Sequence, residues 1–117
     1  MTLESGDRVF FDVTTTHMTL QAVQFDNLEQ DAESLEYKGD CDTVILYGRD
    51  VAVLLDALVC QKPTKVVEKS AESSMLSTKV TNDAFWLVTD DNAVSLTESE
   101  RAMLVGAVAS RTWRLFQ

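Results

Sequence analysis

Polar and apolar residues alternate from Arg8 to Thr14, with Val9, Phe11 and Val13 on one face and Arg8, Phe10 and Asp12 on the other. That two-residue period predicts a half-buried strand. His17 to Phe25 predicts a second, with Met18, Leu20 and Ala22 on one side; Val23 and Phe25 fall on the other parity, and a bulge near Ala22 reconciles them. Ser34 to Lys38 reads as a third strand and Thr43 to Tyr47 as a fourth. The fourth is apolar on both faces, which places it mid-sheet beneath a helix. Gly48 then lets the chain turn sharply into a helix over Arg49 to Val59, where Val51, Leu54, Leu55 and Leu58 share one face. Asp50 complements the helix dipole and Pro63 closes the element.

The second half repeats this grammar. Strands are predicted over Thr64 to Lys69, Met75 to Thr81, Ala84 to Thr89 and Ala93 to Leu96. Thr97 and Glu100 stand at capping-box spacing and open a helix to about Arg111 that buries Leu104, Val105 and Val108. Thr43 to Cys60 and Ala93 to Ser110 align without a gap at an offset of 50, keeping Val44/Val94, Leu46/Leu96, Ala52/Ala102, Leu54/Leu104 and Ala57/Ala107 identical. Leu35, Tyr37 and Asp40 continue the match onto Phe85, Leu87 and Asp90. The expectation is a single α+β domain over 1–117: an antiparallel sheet with two helices packed on one face, from a tandem repeat of a strand-rich unit ending in a helix, with halves 8–60 and 64–111. The tail Thr112 to Gln117, with Trp113, Leu115 and Phe116, reads as an added edge strand, a segment docked on the core, or a contact that makes a homodimer.

In element order alone, two units of four strands and a helix resemble the Whirly fold, which binds single-stranded DNA. One such unit resembles a single-strand-binding transcription-coactivator domain. The resemblance implies a nucleic-acid-binding sheet, for which Lys65, Lys69 and Lys79 with nearby aromatics are the candidate face.

Charge changes the picture. Nineteen carboxylates oppose ten Lys and Arg, a formal net of −9. Cations that displace condensed counterions drive duplex binding, so this balance disfavours nonspecific duplex binding, and anionic membrane surfaces equally. No apolar run reaches the length of a bilayer span, and the start carries no signal-like core, so a cytoplasmic protein is expected, of a cell or of a virus in its host. Cys41 and Cys60 read as free thiols, with Cys60 buried at the helix end.

The excess is concentrated. From Asp26 to Asp42, Asp26, Glu29, Asp31, Glu33, Glu36, Asp40 and Asp42 face Lys38 alone, a local net of −6. A solvating loop accounts for such a run, and so does a row of carboxylates offered to a basic protein groove. In the second case apolar anchors supply affinity, and Trp113 and Phe116 join the seven acids as candidate partner-binding residues, with Trp86 more a core residue.

No residue is assigned a catalytic, cofactor or metal role. His17 is the single histidine, and there is no phosphate loop, GxSxG or CxxC. The runs Asp40, Cys41, Asp42 and Asp90, Asp91, Asn92 lack the glycine and final glutamate of a calcium loop. The function expected is a non-enzymatic acidic module that binds a larger basic protein or nucleoprotein complex, inhibiting or regulating nucleic-acid-handling machinery. Phage-encoded inhibitors, including DNA mimics and anti-CRISPR proteins, resemble the chain in size and charge. The alternatives are the single-stranded nucleic-acid binder and an acidic secretion chaperone.

Overall fold

The computed structural model describes residues 1–30, 35–37 and 43–116. Its elements are β1 (Arg8–Val13), β2 (His17–Val23), β3 (Leu28–Gln30), β4 (Leu35–Tyr37), β5 (Val44–Tyr47), α1 (Gly48–Cys60), β6 (Thr64–Val67), β7 (Leu76–Val80), β8 (Phe85–Val88), β9 (Ala93–Leu96) and α2 (Glu98–Thr112). Short 3-10 turns cover Phe25–Asn27 and Trp113–Phe116. The α+β class is the one expected, but the sheet is divided. β1-β2-β5 forms one antiparallel sheet, β6-β7-β8-β9 another, and β3 and β4 pair only with each other.

Strand alternation and helix period direct their apolar faces into a single core. Met18, Leu20, Val44 and Leu46 come from the first sheet, Leu76, Leu87 and Val94 from the second, and Leu54, Leu58, Leu104 and Val108 from the helices; all are fully buried. Arg101 of α2 joins the helices through a hydrogen bond from its guanidinium to the Leu58 carbonyl, one of the carbonyls that α1 leaves without a partner inside the helix.

The 50-residue correspondence holds for a strand and its helix. Tyr47 and Thr97 are the N-caps: Thr97 and Glu100 form a full capping box, whereas at Tyr47 only the amide-to-Asp50 Oδ2 bond is made. Upstream it fails. Leu87 and Phe85 of β8 stand opposite Val94 and Leu96, but the residues opposite Val44 and Leu46 are Leu20 and Met18 of β2, not Leu35 and Tyr37. β4 does not pair with β5 at all. The structure therefore shows a shared strand–helix unit without showing two equivalent halves, and it isolates what differs: residues 89–92 join β8 to β9, whereas residues 24–43 join β2 to β5 and carry the acidic hairpin.

Several expectations are corrected. β2 has no bulge: its register with β1 runs unbroken from Val13↔Met18 to Arg8↔Val23. The chain leaves the sheet at Gln24, so strand parity no longer governs Phe25, which stacks near Gly6 in the 3-10 turn. β5 is an edge strand and not a central one. Its outer edge is covered instead by the 73–74 segment, where the Ile45 amide donates to Ser73 Oγ and the Ser74 amide to the Thr43 carbonyl. Cys60 is exposed, since two residues beyond buried Leu58 the helix has turned about 200°. Its thiol donates to Asp56.

The tail docks. Leu115 packs against the core, and an ideal Cβ on Gly48 would stand 2.9 Å from its carbonyl oxygen. Gly48 has no positive φ, so the glycine serves this close approach and not a sharp turn. Gly48→Ala should destabilise the chain by about 1–3 kcal/mol through overpacking, read by urea unfolding. An unchanged midpoint would show that the Trp113–Phe116 turn moves aside at no cost.

Candidate interaction surface

β1 and β2 end at a common edge, and the acidic hairpin grows from it. Its root is fixed by buried or half-buried polar groups. The Phe25 amide donates to Asp7 Oδ1 at 2.8 Å, the Gln24 amide to Asn92 Oδ1 at 3.0 Å, and the Ala93 amide to Gln24 Oε1 at 3.3 Å. Asn92 is buried while neighbouring Asp90 and Asp91 are exposed. The β8–β9 turn is thereby docked onto the hairpin's root, bringing the second acidic run to the same end of the molecule as Asp26. Sequence reasoning missed Gln24 and Asn92; a polar pair flanking two acidic turns is the only signal they leave.

Within the hairpin, Leu28 stands opposite Tyr37, Glu29 opposite Glu36 and Gln30 opposite Leu35. Glu29 and Glu36 are thus partners in the backbone register of the hairpin. Asp26, beside the hairpin, is exposed. Asp31, Glu33, Asp40 and Asp42, with Cys41, lie outside the described residues.

Lys69 ion-pairs with Asp90 at 2.9 Å. Its ammonium holds the Asp90 carboxyl below the ordinary carboxylate value, with help from the Met75 amide and the Ser74 hydroxyl. A depressed folded-state value means the pair's contribution is complete above the usual carboxylate range and is lost as pH falls through the folded value. Lys69→Met should raise the Asp90 value toward normal in an NMR titration of its carboxyl carbon; an unmoved titration would assign the depression to the backbone contact.

Trp113 is not part of this assembly. It lies beside Val13, Thr14 and Thr15 at the β1–β2 turn, the far end of β2 from Asp26, and the seven residues of β2 separate the two by about 20 Å. The indole is 52% exposed and neighbours Arg111 and Arg114. Phe116 ends the same 3-10 turn. Among the described residues, Asp26 and Trp113 therefore stand at opposite ends of β2.

A third surface is the outer face of the four-stranded sheet. Lys79 stands opposite Trp86, and Trp86 opposite Ser95; Lys65 pairs with Ser77, Ser77 with Val88 and Val88 with Ala93. Trp86 is half-buried on this face and not in the core, its indole N–H donating to Thr81 Oγ1 at 3.2 Å. Lys69 lies beyond the end of β6 and is engaged by Asp90.

No protein-family model, curated protein or solved structure matches this chain. The three surfaces are accordingly weighed on their own chemistry. His17 is held by threonine hydroxyls, Thr16 Oγ1 at 2.8 Å and Thr14 Oγ1 at 3.2 Å from Nδ1, and tilts against Tyr47. Among the described residues no three His, Cys, Asp or Glu side chains gather closely enough to hold a metal ion. Among them too, no helix is long and apolar enough to cross a membrane.

Proposed function

We propose that the chain is a non-enzymatic binding module whose acidic hairpin docks into a basic groove of a larger protein or nucleoprotein complex, inhibiting or regulating machinery that handles nucleic acid. The observation that carries this reading is a segment with seven carboxylates and one lysine over 26–42, inserted between β2 and β5 where the second strand–helix unit has only the turn 89–92. Three-residue strands contribute few ladder bonds, and two-stranded hairpins are marginal by themselves. Clustered carboxylates of this kind raise the rate and selectivity of encounter more than the affinity. Association with the basic partner should therefore slow steeply as ionic strength rises. The slope should flatten when Asp26, Glu29, Asp31 and Glu33 are changed to Asn or Gln. A rate indifferent to both salt and substitution would count against the reading.

The Lys79↔Trp86 pair favours a second reading, in which single-stranded nucleic acid stacks on the helix-free sheet face. It predicts that an oligonucleotide quenches Trp86 fluorescence and that Lys79→Ala weakens binding and its salt dependence. The acidic root beside that sheet works against it, and it stands second.

A further inference from the structure

Basic residues collect at the end of the molecule opposite the hairpin. Arg111 and Arg114 line a cleft of about 420 Å³ with Trp113, Val13, Thr14 and Thr15. Arg49, exposed in the first turn of α1, lies at the same end, because its neighbour Gly48 abuts Leu115. The guanidinium of Arg111 sits 5.1 Å above the Phe11 ring and that of Arg114 5.3 Å above Trp113. Rings hold both in place while leaving their charge unneutralised. Lys62 and Lys69 pair with Asp56 and Asp90, whereas no ion pair among the described residues joins Arg49, Arg111 or Arg114 to a carboxylate. In a chain with nineteen carboxylates for ten basic residues, that separation is unusual.

We infer that the cleft receives the acidic hairpin of a second copy of this chain, so that copies associate head to tail. Charge complementarity commits the occupant. The excess negative charge of the sequence is concentrated in the segment that follows Asp26, and three arginines that join no carboxylate among the described residues are carried at the other end. A contact between opposite ends is made either once per copy, which builds chains or rings, or twice about a two-fold axis, which closes an antiparallel dimer. Exposed ion pairs are individually weak, and Trp113 supplies the buried apolar area that holds the contact. The assembly is therefore salt-sensitive and concentration-dependent. It also covers the hairpin, making self-association a competitor of the partner proposed above, although it does not rest on that partner's existence.

The test uses two variants in sedimentation analysis, each checked by circular dichroism for an unchanged melt. One carries Asp26→Asn, Glu29→Gln and Glu36→Gln; the other Arg111→Gln, Trp113→Ala and Arg114→Gln. The native chain should grow in mass with concentration at low salt and return to monomer at about 1 M salt, where screening acts over about 3 Å. Each variant alone should be monomeric, and an equimolar mixture should double in mass and stop there, because each copy retains one intact end. A native chain monomeric at low salt, association by either variant alone, or a mixture that stays monomeric would overturn the inference. Association by the hairpin variant alone would indicate instead a symmetric contact through the tail. A monomeric native chain whose Trp113 emission is quenched by an oligonucleotide would give the cleft to nucleic acid. Loss of partner capture would separately sink the hairpin's external role, since the arginine variant keeps the hairpin whole.

Discussion

Leu104→Ala should lower the free energy of unfolding by about 2–5 kcal/mol, a large share of the total for a domain of this size. Leu104 is fully buried on α2 and belongs to the core cluster that includes Leu54 of α1 and residues of both sheets. Truncation removes packing at a point where neither helix can collapse without pulling away from its strands. Met103, next to it, is 62% exposed, so Met103→Ala should shift stability by no more than about 0.5 kcal/mol. Urea unfolding of the pair reads the difference. Equal effects would mean that α2 does not hold the face described.

Glu100→Ala should cost about 2–4 kcal/mol, more than an ordinary helix cap. Glu100 is buried, and both its carboxylate oxygens are used. Oε1 accepts from the Thr97 amide at 3.0 Å in the capping box, and Oε2 accepts from the Glu4 amide at 2.8 Å. The second bond stitches the segment before β1 to the start of α2, where Leu3 is also buried. Alanine would leave both donors to find water. Glu100→Gln retains one acceptor and should recover part of the loss, so a ranking in which glutamine is as damaging as alanine would point to packing and not to these bonds.

The Thr97 to Glu100 spacing made half of that role legible in the sequence; the bond to Glu4 was not, because nothing local connects residues so far apart. The same division runs through the fold. Alternation found β1 and β7 almost to the residue, and β8, read as apolar on both faces, lies inside its sheet with β7 and β9 on either side. The same reading misjudged β5, whose two apolar faces looked central although a polar loop covers its edge. β3 escaped because three residues give too short a sample of any period. Cys60 was assigned to the core by its place at a helix end, when the 100° step per residue had already carried it out to solvent.

Of the candidate surface, the carboxylate density was legible and its geometry was not. The Glu29↔Glu36 register depends on which hairpin forms, and the placement of Trp113 depends on where the end of α2 meets β1, with Arg111 over Phe11. Trp86 was taken as a core residue on hydrophobicity alone, whereas strand parity puts its opposite neighbours Lys79 and Ser95 on the outer face with it.

The central claim is that the hairpin is a recognition element separable from the fold that carries it. Its most direct test is capture from a nuclease-treated bacterial lysate on three baits: the native chain, the hairpin variant with Asp26, Glu29, Asp31 and Glu33 changed to Asn or Gln, and a sheet variant with Lys79→Ala and Trp86→Ala. A basic protein should be retained in stoichiometric amount by the native and sheet baits and lost from the hairpin bait, with all three baits melting alike. Retention by the hairpin bait, or recovery only of nuclease-sensitive material lost from the sheet bait, would contradict the account and move the function to the outer face of the four-stranded sheet.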